Sequence, residues 1–386
     1  MPPTRPDRSR GANQGSRTGL VWHELFMWHD TSSLAGMLRS GRGIIEPDES
    51  VESPTTKRRI KNLLDVAGIT EQLILIRPRP ATQEELAAVH DREYITAVKA
   101  MSDDSGGDAR MDQPLGETPF GPGGFEIAAL AAGGVMAAVD AVASGRVDNA
   151  YALVRPPGHH AEASHGFGFC VFNNGAVAAR HAQRMCGLRR IALVDWDAHH
   201  GSGAEHIFWT DPSVLTISIH QDGAFPPGSG SISDIGAGEG TGYNLNIPLP
   251  AGSGAGAYLA AFERVIVPAL RRFGPDMIIV PCGFDAGCFD PMSRMMLHAD
   301  CFRTMARHVQ MAAEELCAGR LVLCHEGGYH KTSVPFLGLA VIEQMAGISS
   351  GMVDPFQSII EQYPFQGLQP HQDDVLRQVE KLVERL

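Results

Sequence analysis

The sequence is poor in cysteine, in positive charge and in long apolar runs, and each shortage excludes a class of protein. Its seven cysteines among 386 residues are odd in number and lack the spacing of a disulfide framework, which favours a reducing, cytoplasmic compartment. No apolar run approaches the roughly 18 to 20 residues of a membrane span, so we expect no membrane partner. Lys and Arg total 32 against 44 Asp and Glu, a net charge of −12. Without a basic stripe we expect no nucleic-acid partner.

The first 18 residues, MPPTRPDRSRGANQGSRT, lack the apolar stretch of a signal peptide. They are rich in Arg, Pro, Ser and Gly, and we expect a disordered N-terminal tail over residues 1–18. Beyond the tail no internal repeat or Pro-rich linker divides the chain, which predicts one catalytic domain over 19–386. The segment 20–47, aromatic and then Gly-rich, fits a rim loop, an oligomer contact or ordinary surface packing. The sequence leaves these alternatives, and homo-oligomerisation, open.

Short apolar runs rich in β-forming residues alternate with helix-sized segments. The runs are LILI (73–76), YALV (151–154), IALVDW (191–196), VLTISIH (214–220), MIIVP (277–281) and LVLCH (321–325). Continuous apolar strands separated by helices are typical of a parallel sheet covered on both faces, which makes the fold class α/β. Between the strands, Thr82 stands three residues before Glu85, the pattern of a helix capping box.

Polar clusters follow four of these strands. They are RPPGHH, DAHHGSG, GFDAGCFDPM and EGGYH, after the runs that begin at 151, 191, 277 and 321. In open parallel sheets ligands bind beyond the carboxyl ends of the strands. The four clusters therefore predict one shared site.

The segment LVDWDAHHGSG (193–203) holds the densest charge. If the strand continues through residue 199, Asp195, Asp197 and His199 point to one side of it. Asp197 and His199 have the types and spacing of two ligands of a divalent ion, and Asp285 offers a third. Three ligands leave a position for water, as in a catalytic zinc site, although carboxylates also suit Fe(II). The alternative, in which the aspartates only cap a helix, is disfavoured by the other three clusters.

The remaining clusters supply groups for acid–base chemistry. His159 and His160 could line one pocket, and Asp195 could fix the tautomer of one ring. Tyr329 on its Gly-Gly turn could donate a hydrogen bond to a carbonyl oxygen as negative charge develops. A metal, a base pair and a phenolic donor together indicate hydrolysis of an amide or ester through a tetrahedral intermediate.

With these motifs the sequence closely resembles the zinc-dependent histone deacetylase family, its class II branch and bacterial histone-deacetylase-like amidohydrolases in particular. The resemblance covers residues 20–350 and rests on RPPGHHA, GFGFCVFNN, VDWDAHHGSG, TISIHQ, GTGYNLNIPL, GFDAG and HEGGYH, in family order. It implies the arginase/deacetylase fold: a single domain with a central, mostly parallel sheet of about eight strands flanked by helices. The active site would lie at the carboxyl ends of the strands.

The resemblance also implies a role for each matching residue. Zinc would be held by Asp197, His199 and Asp285. His160 would be the general base, and His159, paired with Asp195, would have the electrostatic or acid role. Tyr329 would hold the scissile carbonyl oxygen.

Further implied sites are a substrate tunnel and two structural potassium sites. The tunnel for an acyl-lysine side chain would be lined by Gly168 and Phe169, with Phe225 as the opposite wall and Met292 at the rim. The first potassium site would comprise Asp195, Asp197, His199, Ser218 and Ile219. The second would comprise Phe208, Asp211, Val214 and Tyr243.

Three positions distinguish this chain within the family. Ser202 stands where related enzymes place an Asp or Asn to support the second histidine, and this shorter partner leaves His160 less firmly oriented. Met292 stands where the polyamine-selective class II member has a glutamate, and its apolar rim suits an aliphatic acyl-lysine stem. Tyr329 stands where the weakly active class IIa members have histidine, which predicts real deacetylase activity.

The leading prediction is a cytoplasmic, zinc-dependent amidohydrolase that removes acetyl or other acyl groups from lysine side chains of proteins, peptides or small amines. An acetylpolyamine amidohydrolase is the first alternative, because an acidic surface suits cationic substrates. A non-catalytic acyl-lysine-binding protein is an alternative of another class. An arginase-type ureohydrolase would need a two-metal cluster with more aspartates, and Ser202 lies where one would be required.

Overall fold

The computed structural model describes residues 16–32, 43–113 and 116–386, and its centre is a parallel sheet. The strands in chain order are β1 (Thr18–Val21), β2 (Ile74–Ile76), β3 (Gly107–Asp108), β4 (Pro119–Phe120), β5 (Asn149–Ala152), β6 (Ile191–Asp195), β7 (Val214–Gln221), β8 (Asn244–Leu249), β9 (Met277–Cys282) and β10 (Leu321–His325). Eight of them form the central sheet in the order β2-β1-β5-β10-β9-β6-β7-β8. Every pairing in it is parallel. The other two, β3 and β4, form a small antiparallel pair.

Helices fill the connections between the strands. They are α1 (Thr55–Val66), α2 (Gln83–Leu86), α3 (Arg92–Asp104), α4 (Gly124–Ala143), α5 (Asn174–Met185), α6 (Ser202–Phe208), α7 (Ala255–Ala261), α8 (Val267–Phe273), α9 (Ala299–Cys317), α10 (Val334–Ala346), α11 (Gln357–Ile360) and α12 (Pro370–Val383). A π-helical turn, Phe262–Ile266, joins α7 to α8. Three 3₁₀ helices span Glu24–Trp28, Thr70–Gln72 and Gly238–Gly240.

The sheet separates two apolar cores, because successive side chains of a strand point to opposite faces. In β6, Ala192 and Val194 join the core shared with α1, α7–α10 and α12, whereas Ile191 and Leu193 join the core shared with α3–α6. Burial on both faces explains why the strands are continuous apolar runs. The predicted α/β fold with about eight parallel strands is confirmed.

The six strands that the sequence predicts are present, with small differences at their ends. β6 ends at Asp195 and does not continue through residue 199. The predicted alternation nevertheless persists, because Trp196 and Ala198 pack into the same core as Ala192 and Val194. The capping box is also present: Thr82 Oγ1 accepts from the backbone N–H of Glu85, whose side chain accepts from the backbone N–H of Thr82.

Helix α4 corrects the expectation that no apolar run reaches membrane-spanning length. By length and composition alone it could cross a bilayer, but 78% of its apolar window is buried in the fold. Its burial follows from its place between the sheet and α5. This predominantly apolar helix can therefore be explained here as a core element.

The predicted tail over residues 1–18 falls mainly on residues 1–15, which lie outside the described residues, and Thr18 is already the first residue of β1. The same applies to residues 33–42 of the segment 20–47. All seven cysteines are free thiols.

Candidate active site

Four neighbouring strands of the sheet end in the four predicted clusters. In the order β5, β10, β9, β6 they lead into RPPGHH, EGGYH, GFDAGCFDPM and DAHHGSG. Because the strands are parallel, the segments that follow them all emerge at the same edge of the sheet. The topology thus brings together segments spread between residues 155 and 330 of the chain.

The three predicted metal ligands converge at this edge. His199 Nδ1 lies 2.9 Å from Asp285 Oδ2 and 3.1 Å from Asp197 Oδ1. One ligand atom from each residue lies within 4.8 Å of the other two, and all three side chains are buried. Two carboxylates and one imidazole form a donor set that suits zinc or Fe(II).

Backbone groups hold these ligands in place. His199 Nε2 can donate to the carbonyl oxygen of Met292 at 3.2 Å, which leaves the Nδ1 lone pair directed at the two carboxylates. Asp285 Oδ1 accepts from the backbone N–H of Ala198, and Asp197 Oδ2 accepts from that of Gly327. Such outer hydrogen bonds fix the orientation and tautomer of metal ligands.

The electrostatics of the pocket favour a cation among the ligands. Burial, with Asp197 nearby, raises the pKa of Asp285 to about 6. Burial would lower the pKa of His199, but Asp285 and Asp197 outweigh it and raise that pKa well above the usual value. In the ion-free pocket, a proton on His199 therefore stabilises the paired carboxylates. A divalent ion would do the same with twice the charge, so these residues fit the metal.

His159 is held in its charged form beside the ligands. Its Nδ1 lies 2.9 Å from Asp195 Oδ2, and its Nε2 lies 3.8 Å from Asp197 Oδ1. Burial would lower the pKa of His159, but the carboxylates of Asp197 and Asp195 raise it to about 10. Asp195 is thus placed to orient His159, as the sequence predicts.

His160 lies in the opposite environment. Its ring centroid is 3.9 Å from that of His159 and 6.2 Å from that of His199. Burial and the positive charges of His159 and His199 lower the pKa of His160 well below its usual value. His160 Nδ1 and Ser202 Oγ are both buried, and among the described residues neither has a hydrogen-bond partner. The neutral ring of His160 is therefore held by packing and not by a hydrogen bond to Ser202.

Tyr329 is fixed through its backbone by a carboxylate that the sequence analysis missed. Asp290 accepts from the backbone N–H of Tyr329 at 2.7 Å, of Met292 at 2.9 Å and of His330 at 3.3 Å. Gly328, with φ near +120°, gives the turn a conformation that L-residues rarely adopt. Burial, with Asp285 and Asp197 nearby, raises the pKa of the Tyr329 phenol well above its usual value. The phenol therefore stays protonated as a donor.

Aromatic rings line the approach to these residues. Phe225 stands 5.0 Å from His160 between ring centroids and stacks on Phe167 at 5.1 Å. Phe169 faces Tyr329 at 6.4 Å, and it has a left-handed backbone, as has Gly168. Phe225 therefore does lie beside the site, and Phe167 is an additional ring that the sequence analysis overlooked.

The loop that holds Phe225 is tied to the metal-ligand segment by His200. The backbone N–H of His200 donates to the Phe225 carbonyl at 3.1 Å. The ring Nδ1 of His200 lies 3.0 Å from Ser229 Oγ in the same loop. The loop of Phe225 is thus positioned by the residue that follows His199, a predicted metal ligand.

The residues of the two predicted potassium sites lie at different ends of the sheet: the first set gathers around Asp195 at the carboxyl end of β6, and the second includes Val214 and Tyr243 at the amino ends of β7 and β8. Asp195 of β6 pairs in register with Ser218 of β7, and Ile219 follows it. In the second set, the Phe208 and Asp211 carbonyls accept backbone N–H groups at 2.9 and 3.5 Å, and the Tyr243 carbonyl accepts one at 3.0 Å. The Tyr243 carbonyl also accepts from Thr216 Oγ1 at 3.4 Å. Potassium binding stays a prediction at both sites.

Glu326 is a further residue that the sequence analysis did not single out. Its Oε2 accepts the backbone N–H groups of Gly158 and His159 at 2.6 and 3.1 Å, so it anchors the histidine pair to the end of β10. Burial raises its pKa to about 7. Its position inside HEGGYH, immediately after a buried strand, was the available signal.

Comparisons with known proteins agree with this geometry. The histone deacetylase domain model matches residues 50–345, a range that contains every residue discussed at the site. A histone deacetylase-like amidohydrolase of Pseudomonas aeruginosa is 46% identical over 348 residues, which cover 89% of this chain and 90% of that protein. The chloroplastic histone deacetylase 14 of Arabidopsis thaliana is 38% identical over 312 residues, which cover 79% of this chain and 68% of that protein.

Two further matches bear on substrate and fold. The polyamine deacetylase HDAC10 of Mus musculus is 37% identical over 359 residues, which cover 89% of this chain but only 51% of that protein. Among solved structures, the crystal structure of the HDA15 HD domain matches with a TM-score of 0.77 and 32% identity. That match covers 96% of this chain and 99% of the other.

Proposed function

This chain belongs to the histone deacetylase family and has the arginase/deacetylase fold, and from that premise we propose that it is a zinc-dependent deacetylase of acylated lysine side chains. The observation that carries the proposal is the convergence of Asp197, His199 and Asp285. Beside them stand His159, whose pKa is raised, and His160, whose pKa is lowered. Acyl groups other than acetyl belong to the same proposal.

Zinc would be held by Asp197, His199 and Asp285, and when bound it would polarise the substrate carbonyl and make water more acidic. Fe(II) is the alternative metal for a carboxylate-rich donor set. Structural potassium at the two sets of residues described above, and a location in the cytoplasm, are further parts of the proposal. The first rests on the family resemblance and the second on the cysteine pattern.

The two histidines would divide the proton transfers between them. His160, neutral because burial and neighbouring positive charge lower its pKa, would take a proton from the attacking water. His159, kept cationic by Asp197 and Asp195, would stabilise the developing negative charge and supply a proton to the leaving amine. A pair whose environments push the two pKa values apart is the usual arrangement for acid and base in one site.

Tyr329 would donate its O–H to the carbonyl oxygen as that oxygen becomes negative. Because this hydrogen bond strengthens only in the transition state, it should affect kcat more than KM. Phe169 and Phe225 would enclose the aliphatic stem, and the half-buried Met292 would form an apolar rim.

The test is Tyr329→Phe in the zinc-loaded protein, assayed by acetate release from an acetyl-lysine peptide. We expect kcat to fall by about 10²- to 10³-fold, the usual cost of one lost oxyanion donor. Zinc content should stay the same, because Tyr329 is not among the ligands. Unchanged turnover would refute the role of the phenol. A folded, zinc-loaded wild type that is inert toward every acyl amide would instead support the acyl-lysine-binding alternative.

Acetylpolyamine hydrolysis is the second candidate, because one relative is named a polyamine deacetylase and the net charge is −12. The test compares kcat/KM for an acetyl-lysine peptide and for N-acetylputrescine in one buffer. We expect the peptide to be preferred, and Met292→Glu to shift the ratio about tenfold toward the polyamine by adding a negative charge at the rim. Preference of the wild type for N-acetylputrescine would favour the second candidate.

A further inference from the structure

Three charged side chains form a cluster inside the protein, next to the ring of Tyr329. Glu52 and Arg155 are completely buried, and Lys57 is 1% exposed. Glu52 precedes α1, Lys57 lies in its first turn, and Arg155 begins the segment that contains the two histidines. Charged residues are almost never buried this deeply unless they are paired or used.

Both cations of the cluster pair with the same carboxylate. Arg155 Nε donates to both oxygens of Glu52, at 3.1 and 3.0 Å, and its second terminal nitrogen lies 2.9 Å from Oε2. Lys57 Nζ donates to Glu52 Oε1 at 2.8 Å. Arg155 also donates to the His29 carbonyl at 2.5 Å, which joins the cluster to the segment before α1.

The cluster has one more positive than negative charge. Burial, reinforced by Arg155, lowers the pKa of His29 to about 3, so that this neighbour is neutral. Burial and Lys57 likewise lower the pKa of His325 well below its usual value. Since Arg155 forms the bidentate contact with Glu52, the ammonium of Lys57 retains the larger share of unneutralised charge.

This ammonium lies over the ring of Tyr329, with Nζ 5.6 Å from the ring centroid. A cation over a phenol ring is attracted by its π electrons, and more strongly when both are removed from water. The positive charge also withdraws electron density from the ring, which makes the O–H a stronger donor. Both effects act on the Tyr329 phenol, the proposed hydrogen-bond donor to the substrate carbonyl oxygen.

We propose that Lys57 is a positioning residue for Tyr329: its buried ammonium orients the ring and strengthens the phenol as a donor. The expected effect on turnover rests on the proposed function, whereas the contact between Lys57 and Tyr329 does not. Glu52 and Arg155 hold Lys57 in place, so the buried cluster links α1 to the catalytic turn. The effect is electrostatic and needs no contact between Lys57 and substrate.

The test is a double-mutant cycle with Lys57→Met and Tyr329→Phe. Met has a similar length and no charge, and the remaining Glu52–Arg155 pair is electrically balanced, so the variant should fold. We expect Lys57→Met to lower kcat on the order of tenfold with KM little changed, since the hydrogen bond forms in the transition state. In the Tyr329→Phe background the same change should lower kcat by less than about twofold.

Three controls keep the result interpretable. Lys61→Met removes a cation one turn later on α1, where Lys61 pairs with Asp65, and should leave kcat unchanged. Lys57→Gln, which still offers Glu52 a donor, is measured in parallel in case Lys57→Met unfolds. Zinc content and melting temperature are measured for each variant.

A second readout does not depend on turnover. In zinc-free protein, Lys57→Met and Lys57→Gln should change the near-ultraviolet difference spectrum of tyrosine, and this change should be absent in the Tyr329→Phe background. Equal losses of kcat in both backgrounds, or full activity of both Lys57 variants, would overturn the inference. An inactive wild type would refute the proposed function alone, and the spectra would still test the contact.

Discussion

Gly327 lies against the carboxylates of two proposed metal ligands, Asp197 and Asp285. Its backbone N–H donates to Asp197 Oδ2 at 2.9 Å. A Cβ at this position would overlap Asp285 Oδ2 and lie 2.7 Å from Asp197 Oδ2. Neither oxygen belongs to a flexible surface side chain, because both aspartates are buried and hydrogen-bonded. The absence of a side chain at Gly327 therefore leaves room for both carboxylates of the proposed metal site.

Gly327→Ala should weaken zinc binding without removing a ligand. The methyl group must push Asp285 or Asp197 out of place, and displaced support of this kind typically costs about 10- to 100-fold in metal affinity. The measurement is zinc affinity by competition with a chromophoric chelator. Gly367→Ala is the matched control, since a Cβ there would meet nothing within 4 Å. Equal zinc affinity in both variants would contradict the prediction.

At the scale of residues, the sequence could predict which side chains gather but not how they are held. Asp197, His199 and Asp285 were recognisable because aspartate and histidine are unusual at the ends of buried strands. The contact of Met292 with His199 was not, because it uses a backbone carbonyl, and any residue type supplies one. Lys57 gave no signal either, since a lysine in the first turn of a helix usually faces solvent.

At the scale of elements, Asn173 joins the start of α5 to the histidine segment. Its side-chain oxygen accepts from the backbone N–H of Ala176, as an N-cap does, and its amide nitrogen donates to the Ala161 carbonyl, both at 3.0 Å. Ala161 directly follows His160. One buried side chain thus stabilises the helix and restrains the segment of His160, the proposed general base.

Asn173→Ala should lower the free energy of unfolding by about 2 kcal/mol, because it removes a cap and leaves the buried Ala161 carbonyl without this donor. Asn173→Ser should recover about half of that loss, since serine can cap but is too short to reach Ala161. Urea unfolding of the zinc-free variants measures both values. If Asn173→Ser were no more stable than Asn173→Ala, the lost helix cap would not be the cause of the destabilisation.

The elements that the sequence did not predict are those without an apolar run. β1 comprises only TGLV, and β8, NLNIPL, includes two asparagines and a proline. The β8 asparagines are used: Asn244 and Asn246 both donate to Glu205. β8 is also one of the two edge strands of the sheet, where proline is tolerated. A search for continuous apolar runs misses β8, although its alternating Leu245, Ile247 and Leu249 are buried in the core and give the period-2 signal of a strand.

At the scale of the whole molecule, strand order was the information that sequence patterns lacked. The sequence indicated parallel strands with polar segments after four of them, but not that β5, β10, β9 and β6 are neighbours. That order depends on which helices cover which face, a property of packing rather than of any local pattern. The four segments nevertheless gather as expected, because parallel strands place all such segments at one edge of the sheet.

The whole fold also contains buried histidines that must stay neutral. His90 Nδ1 donates to the Glu162 carbonyl at 2.8 Å, and its Nε2 accepts the backbone N–H of Asn173 at 2.9 Å. Burial lowers its pKa to about 4. A second proton on Nε2 would point at the N–H of Asn173, so protonation conflicts with the folded structure. Unfolding restores the ordinary pKa near 6.5.

The fold should therefore lose stability in acid. A histidine whose folded pKa is depressed contributes stability above pH 6.5, and this is lost as the pH falls through the folded value near 4. For His90 the loss amounts to about 3 kcal/mol, from a shift of roughly 2.5 pKa units. His90→Gln, which can keep a donor and an acceptor, should flatten this dependence between pH 6.5 and 4.

The measurement is the free energy of unfolding of zinc-free protein, by urea at several pH values, so that loss of metal in acid does not contribute. His371→Gln is the control, because His371 is exposed and its replacement should leave the wild-type slope unchanged. His29 is buried with a pKa of about 3, so part of the slope should remain in His90→Gln. If the slope of His90→Gln equalled that of the wild type, other groups would govern acid unfolding. The fold would then not depend on a neutral His90.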